Sequence, residues 1–284
     1  MRNQIINEIK KDLSGKGAIT TFTILCAMVI LNYLKNIRSY SGCDIALMYD
    51  SVKLILPSFN NAYGWAQYLM IFSFLFPILV IMPSGFTYIN DEKTGIAIYS
   101  ISRIGIKKYI SVKVISGFIA TFVVFLIPLL IDFFLTYTTF PRDASCDLSN
   151  WGCYSEEYAL MIDNYWGSNI FLRHKIIYTI YGIIRICFLA GFFGVFPIAL
   201  SYFYSFRFRF FLFFPCFILI NGTVYLNTLF YEKGLSLDIY SYVLIFNDDN
   251  KLWLIFYLYI AMVLLADIVL IWIGTKRRRN RVGI

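Results

Sequence analysis

Groups able to do acid–base or metal chemistry are sparse in this chain of 284 residues. The single histidine, His174, stands between Arg173 and Lys175, with no second histidine or cysteine at a ligand spacing. It reads as a solvated interfacial side chain, because a metal site needs several convergent ligands. Glu156 and Glu157 are adjacent acids in a polar stretch rather than a separated acid and base. The fragment SGKG at Ser14 to Gly17 lacks the earlier glycine and the following Ser or Thr of a phosphate-binding loop, and no G-x-S-x-G elbow occurs. No catalytic residue, metal site or cofactor site is therefore assigned. If the protein performs work, the energy comes from a partner or from an ion gradient.

Ionisable side chains inside apolar runs are the remaining source of chemistry, since charge at membrane depth is costly and marks function by default. Three such residues are present: Asp132, Arg185 and Asp267. Counted along their helices they fall at different depths: Asp132 near an outer end, Arg185 near the middle and Asp267 toward the inner face. A proton relay needs acids or histidines at one level, so this scatter argues against ion-coupled transport. Arg185 is expected to pair with an acid or a backbone carbonyl and hold helices in register, with substrate contact as the sharper alternative. Asn221 and Thr223 divide in the same way, between interhelical hydrogen bonding and a polar lining to a substrate path.

The elements that carry these residues are set by composition. The chain is 59% hydrophobic and 15% charged, far below the roughly 25% charge of soluble domains. A bilayer core of about 30 Å needs about 20 mostly apolar residues per helix. Six runs fit: 18–34, 64–88, 114–136, 176–205, 211–230 and 252–275. Runs of this length argue for helices rather than the short alternating strands of a barrel. The expected fold is an all-α integral membrane protein forming one transmembrane domain, with no internal repeat and no linker.

Six crossings place both termini on one side. That side collects Lys10, Lys11, Lys16, Lys93, Arg103, Lys107, Lys108, Lys113 and the tail from Lys276 to Arg281, whereas the opposite loops hold most of the acids. The positive-inside rule makes the termini cytoplasmic. The net charge of +8 is then a topological signal, not a nucleic-acid footprint, and the tail KRRRNR reads as a stop-transfer and anionic-lipid anchor. Ile5, Ile6, Ile9 and Leu13 recur at helical spacing, predicting an amphipathic helix over about 3–14 that lies along the membrane surface. Cys146 and Cys153 fall in an external loop, where a disulfide is chemically permitted; Cys43 is an alternative partner for either one.

One segment fits neither span nor linker. Residues 89–113 read INDEKTGIAIYSISRIGIKKYISVK. Asp91 and Glu92 suit a helix N-terminus. Ala97, Ile98, Ile101 and Ile104 then draw an apolar stripe. The spacing predicts a short helix over about 91–104 at the inner membrane face, a turn at Gly105, and basic Lys107 and Lys108 before the third span.

This run resembles the cytoplasmic signature of ABC-type-2 exporter permeases. Glu92, Gly95, the apolar helix 97–101, Ser102 with Arg103, Lys107 with Lys108, Tyr109 and Lys113 carry the resemblance. The family's frequent Ser-Arg at the turn is replaced by Gly105 and Ile106, and its turn proline is absent. The resemblance implies a coupling helix that fits a cleft on a separate ATPase subunit, with Asp91, Glu92, Gly95, Ile98, Ile101, Ser102, Arg103, Lys107 and Lys108 as coupling residues. It implies a permease without its own ATPase domain, with ATP and Mg on that partner, two ATPase copies, and a second identical or paralogous permease. The expected substrate is amphipathic: a peptide, toxin, lipid or drug leaving through a bacterial plasma membrane. The alternative is a non-transporting immunity or scaffold protein that binds a toxin or partner through its external loops.

Overall fold

The computed structural model describes residues 2–43, 45, 48, 50–58, 67–142, 168–204, 206, 208–230, 242–245 and 253–282. Cys146 and Cys153 lie outside the described residues. The described residues are mostly helical, with no strand among them. In chain order the helices are α1 (Arg2–Leu13), α2 (Lys16–Tyr40), α3 (Gln67–Ile81), α4 (Thr87–Lys93), α5 (Ile96–Ile104), α6 (Ile106–Thr139), α7 (Ser168–Arg173), α8 (Lys175–Phe203), α9 (Phe213–Phe230) and α10 (Trp253–Val282). Four stretches, Lys16–Tyr40, Ile106–Thr139, Lys175–Phe203 and Tyr257–Arg277, are long and apolar enough to cross a membrane. Tyr68–Ile81 and Arg209–Thr223 are shorter apolar helices. Membrane residence follows from the four, because the exposed faces of α2 and α10 carry Ile30, Leu31, Leu34, Leu258, Met262, Leu265 and Ile268, an apolar surface that water does not tolerate on this scale.

Contacts fix the course of the chain. Gly17, at the start of α2, packs against the backbone of Met82 just past the end of α3. Tyr88, Tyr109 and Tyr202 share one buried cluster with Ile271 packed on it, so α4, the start of α6, the end of α8 and the far part of α10 meet at one end. Tyr40, Leu54 and Phe140 cluster at the opposite end. The apolar helices α2, α3, α6, α8, α9 and α10 thus alternate in direction, and α1 and the end of α10 lie at the same end of the bundle.

The centre is built on the crossing of α6 and α8. A methyl group on Gly194 would stand 2.7 Å from Thr121 Oγ1, and one on Gly191 2.7 Å from the Phe118 ring. Small residues let these two backbones close on each other, the packing device of helices that gain little from burying apolar surface away from lipid. Ser84, in the turn after α3, pins the crossing: its hydroxyl lies 3.0 Å from Thr121 Oγ1 and donates to the Gly194 carbonyl at 3.3 Å.

Several boundaries depart from the sequence reading. The expected run 64–88 is not one described helix, since α3 ends at Ile81 and Met82–Phe86 form a turn around Pro83 before α4 begins. Proline lacks the N–H that would continue the helix. The expected helix over 91–104 is split, because Gly95 adopts φ +76°, a left-handed conformation open to glycine, and α5 starts only at Ile96. Asp91 and Glu92 accordingly occupy the last turn of α4, not a helix N-terminus, and the dipole argument for them fails. The helix of the third run starts at Ile106 rather than 114 and extends for 34 residues, about 51 Å. Helix α2 likewise runs past both limits of 18–34, and α10 past the end of 252–275.

Candidate functional site

Where α1, α4 and α6 meet, four charges close a ring. Lys113 Nζ lies 2.6 Å from Asp91 Oδ2 and 2.6 Å from Glu8 Oε2, and Lys11 Nζ lies 2.7 Å from Asp91 Oδ1 and 3.8 Å from Glu8 Oε1. Tyr109 donates its hydroxyl to Asp91 Oδ2 at 3.0 Å. Each cation thereby touches a carboxylate from α1 and another from α4. Lys113 is wholly buried and Asp91 nearly so, whereas the Lys11 side chain is 45% exposed. Burial works against the Asp91 carboxylate, but Lys113 and then Lys11 outweigh it and hold its pKa below the usual range.

Asp12 stands one helical turn beyond Glu8 and is also buried. Neither of its oxygens has a donor at full hydrogen-bonding distance among the described residues; the nearby Ser116 hydroxyl instead donates to the Lys113 carbonyl at 3.2 Å. Burial raises the Asp12 pKa to about 7, against the attraction of Lys113. The two lysines pair with Glu8 and Asp91, which leaves Asp12 as a fifth group with no ion pair of its own among the described residues.

The ring anchors the α4–α5 hairpin and leaves its tip outside. On α5, Ala97 is buried against the tyrosine cluster and Ile101 and Ile104 pack beside it. Ile98 does not join that stripe: it is 75% exposed, with Tyr99 at 64% and Ile96 also outward. Arg103 lies over the Tyr99 ring at 5.6 Å, and Ser102 donates to the Tyr99 carbonyl at 2.8 Å. Lys107 and Lys108 are exposed after Gly105, whose φ of +81° allows α6 to start in a new direction. Of the expected coupling residues, Gly95, Ile98, Ser102, Arg103, Lys107 and Lys108 are surface residues, Glu92 and Ile101 are half-buried and Asp91 is internal. The surface of the hairpin thus presents apolar side chains, with Arg103 over Tyr99 and Lys107 and Lys108 exposed past Gly105, on a base fastened by buried charges.

The expected helix over 3–14 is present as α1, packed along α6 rather than held by lipid alone. Ile5, Ile9 and Leu13 are half-buried and Ile6 is exposed. Glu8 pairs with Lys113 and Asp12 is buried on the same helix, and the sequence reading gave neither a role. Their signal was an i, i+4 pair of acids beside an apolar stripe, opposite a lysine well inside an apolar helix.

The intramembrane polar residues do not converge. Asp132 is buried and accepts a hydrogen bond from the Leu56 amide at 2.6 Å. Residues 51–58 form a buried segment at the opposite end of the bundle, held also by Asn32 and Asn36, which donate to the Leu54 carbonyl at 2.9 and 3.0 Å. Asp50, immediately before that segment, pairs with Lys175 at 2.7 Å. Arg185 donates to the carbonyls of Leu244 and Ile245, so it binds backbone, one of the two roles open to it. Thr223 returns its hydroxyl to the Ile220 carbonyl at 2.6 Å and Asn221 donates to the Phe217 carbonyl at 3.0 Å, both within α9. Asp267 is buried beside Cys216, with no donor to either oxygen among the described residues. Cys43 carries a free thiol. No group of three or more His, Cys, Asp or Glu able to hold a metal occurs among the described residues.

No family model, no curated protein and no solved structure matches this chain.

Proposed function

We propose that the protein is the membrane-spanning permease subunit of an ATP-binding-cassette exporter, driven by a separate ATPase subunit. The observation that carries this reading is the α4–α5 hairpin. Its tip offers Ile96, Ile98 and Tyr99 to a partner among Arg103, Lys107 and Lys108, while its base is fastened to the bundle through Asp91. A helix that merely floated on lipid would not need a buried ion pair at its root. Movement imposed on the tip passes through α4 into α6, the longest helix.

In this reading the six apolar runs are spans, the termini are cytoplasmic and the membrane is the cell membrane. A second identical or paralogous permease completes the pathway, and ATP with Mg binds the ATPase chains. Nucleotide drives transport only through different affinities for two arrangements of the spans. An amphipathic cargo, such as a peptide, toxin, lipid or drug, suits an aromatic-rich path.

The test is pull-down of the full chain with mass spectrometry for a phosphate-binding-loop ATPase, together with transport-coupled ATP hydrolysis by the recovered pair. Ile98→Asp and Tyr99→Ala should each reduce both by an order of magnitude without lowering thermal stability, because these side chains are exposed. Gly95→Val should reduce both as well, but with a loss of stability, because a β-branched residue is strained at φ +76°. Undiminished ATPase binding in all three variants would overturn the assignment. Nucleotide-independent capture of a toxin through the external loops would favour an immunity protein instead.

A further inference from the structure

We infer that the connection between α8 and α9, together with the end of α10, forms a binding surface for anionic phospholipid headgroups, committed to the leaflet at the α1 end of the bundle. Residues 203–214 read FYSFRFRFFLFF. Tyr204, Phe208, Phe210, Phe211 and Phe214 are all at least half exposed. They hold one another rather than a core: Phe208 and Phe211 lie 6.0 Å apart, Phe210 and Phe214 5.5 Å, and Tyr204 and Phe206 5.1 Å. Arg209 opens the 3-10 turn Arg209–Leu212 between Phe208 and Phe210 in the chain and is exposed.

A second segment is fixed beside the first. Gly274 of α10 packs so closely on Tyr202 of α8 that a methyl group there would stand 2.8 Å from its ring. The approach sets Arg277 over the Phe203 ring at 5.2 Å, while Lys276 lies over Trp272 at 5.7 Å. Between them, residues 203–230 and 268–284 carry Arg207, Arg209, Lys276, Arg277, Arg278, Arg279 and Arg281, with no acid. Among the described residues, Arg209, Lys276 and Arg277 form no ion pair.

The layering identifies the occupant. Away from this end the exposed apolar surface continues down α9 through Ile218 and down α10 through Trp272, Val269, Ile268 and Leu265. Hydrocarbon-facing side chains, then aromatic rings, then cations is the order in which a leaflet presents acyl chains, the interface and phosphate. A soluble protein partner would match the cations but not the uninterrupted apolar surface beneath them. Arginine donors suit phosphodiester oxygens, and the uncompensated positive charge selects anionic over zwitterionic headgroups. The inference does not depend on the transport reading.

The purified full chain, extracted from vesicles of phosphatidylcholine mixed with phosphatidylglycerol, tests it by native mass spectrometry of retained lipid. Phosphatidylglycerol should be retained in preference to phosphatidylcholine, and added salt should erase the preference. Arg209→Gln, Lys276→Gln and Arg277→Gln together should weaken retention by roughly fivefold per cation removed. The charge-keeping set Arg209→Lys, Lys276→Arg and Arg277→Lys should retain lipid like the parent chain, which separates lost charge from lost folding. Equal retention of both lipids by the parent chain, or a preference indifferent to salt, overturns the proposal.

Discussion

Lys113 of α6 and Asp91 of α4 form an ion pair at 2.6 Å in which neither side chain reaches solvent appreciably. Lys11 meets the same carboxylate at 2.7 Å from a side chain that is 45% exposed. The two contacts have similar lengths and should differ greatly in energy. Removing one partner of a buried pair leaves an uncompensated charge, at a cost of about 3–5 kcal/mol, whereas an exposed pair contributes about 0–1 kcal/mol.

The first prediction therefore ranks two lysines. Lys113→Met should destabilise the protein by about 3–5 kcal/mol, since it takes the buried cation from Asp91 and Glu8 and leaves both with only the half-exposed Lys11. Lys11→Met should cost about 1 kcal/mol or less. Unfolding midpoints in a neutral detergent check the ranking. Adding Asp91→Asn to Lys113→Met should recover part of the loss, because the stranded carboxylate then loses its charge.

Asp12 supplies a pH dependence. Its carboxyl ordinarily titrates near 3.8 and is raised by burial to about 7 in the folded chain. An acid whose pKa rises on folding binds a proton as the chain folds, so stability falls as pH climbs from about 4 to about 7, then levels off. The integrated loss is at most roughly 4 kcal/mol. Asp12→Asn should flatten this part of the stability profile and make the protein more stable at neutral pH. Thermal unfolding of both chains across that range is the measurement; parallel profiles would remove Asp12 from the account. The opposing group is Asp91, whose lowered pKa adds stability above the usual carboxylate range and loses it only in acid.

How much of this was legible in the sequence depends on range. Helical type and the course of α8, expected over 176–205 and found over Lys175–Phe203, follow from a long uninterrupted apolar run. The turn at Gly105 was visible because glycine interrupts the pattern. Gly95 was visible as a residue but not as a break, since nothing local in TGIAIY states that φ turns positive there. Asp91 was read as an acid at a helix N-terminus; what turns it inward is Lys113, 22 residues on, and Lys11, 80 residues back. Pairings of that separation leave no trace in local periodicity, and the charge ring was invisible for that reason.

The α6–α8 crossing predicts sensitivity to single methyl groups. A Cβ at position 194 would meet Thr121 Oγ1 at 2.7 Å and its Cβ at 3.1 Å. Gly194→Ala should cost about 1–3 kcal/mol by overpacking. Thr121→Ala in the same chain should return part of this, because it removes the nearest atom while leaving the Cβ contact. A double-mutant cycle on unfolding midpoints reads the coupling, expected to be about 0.5 kcal/mol or more. Strict additivity would mean that the helices simply move apart to accept the methyl group.

At the other end, Asp132 predicts a difference between losing a charge and losing an acceptor. Its Oδ2 accepts from the Leu56 amide at 2.6 Å, inside a segment where residues 51–58 are all buried. Asp132→Ala leaves that amide without its acceptor, at about 1–3 kcal/mol, and opens a small void as well. Asp132→Asn keeps a carbonyl oxygen in the same place, so the Leu56 bond survives and the cost should be smaller. If the carboxylate charge itself were what the protein used, as in a coupling-ion site, Asp132→Asn would match Asp132→Ala in any transport assay while folding normally. Protease resistance of the 51–58 segment, compared between the two variants, distinguishes these cases: protection retained in Asp132→Asn and lost in Asp132→Ala is the outcome expected of a carboxylate that holds a backbone in place.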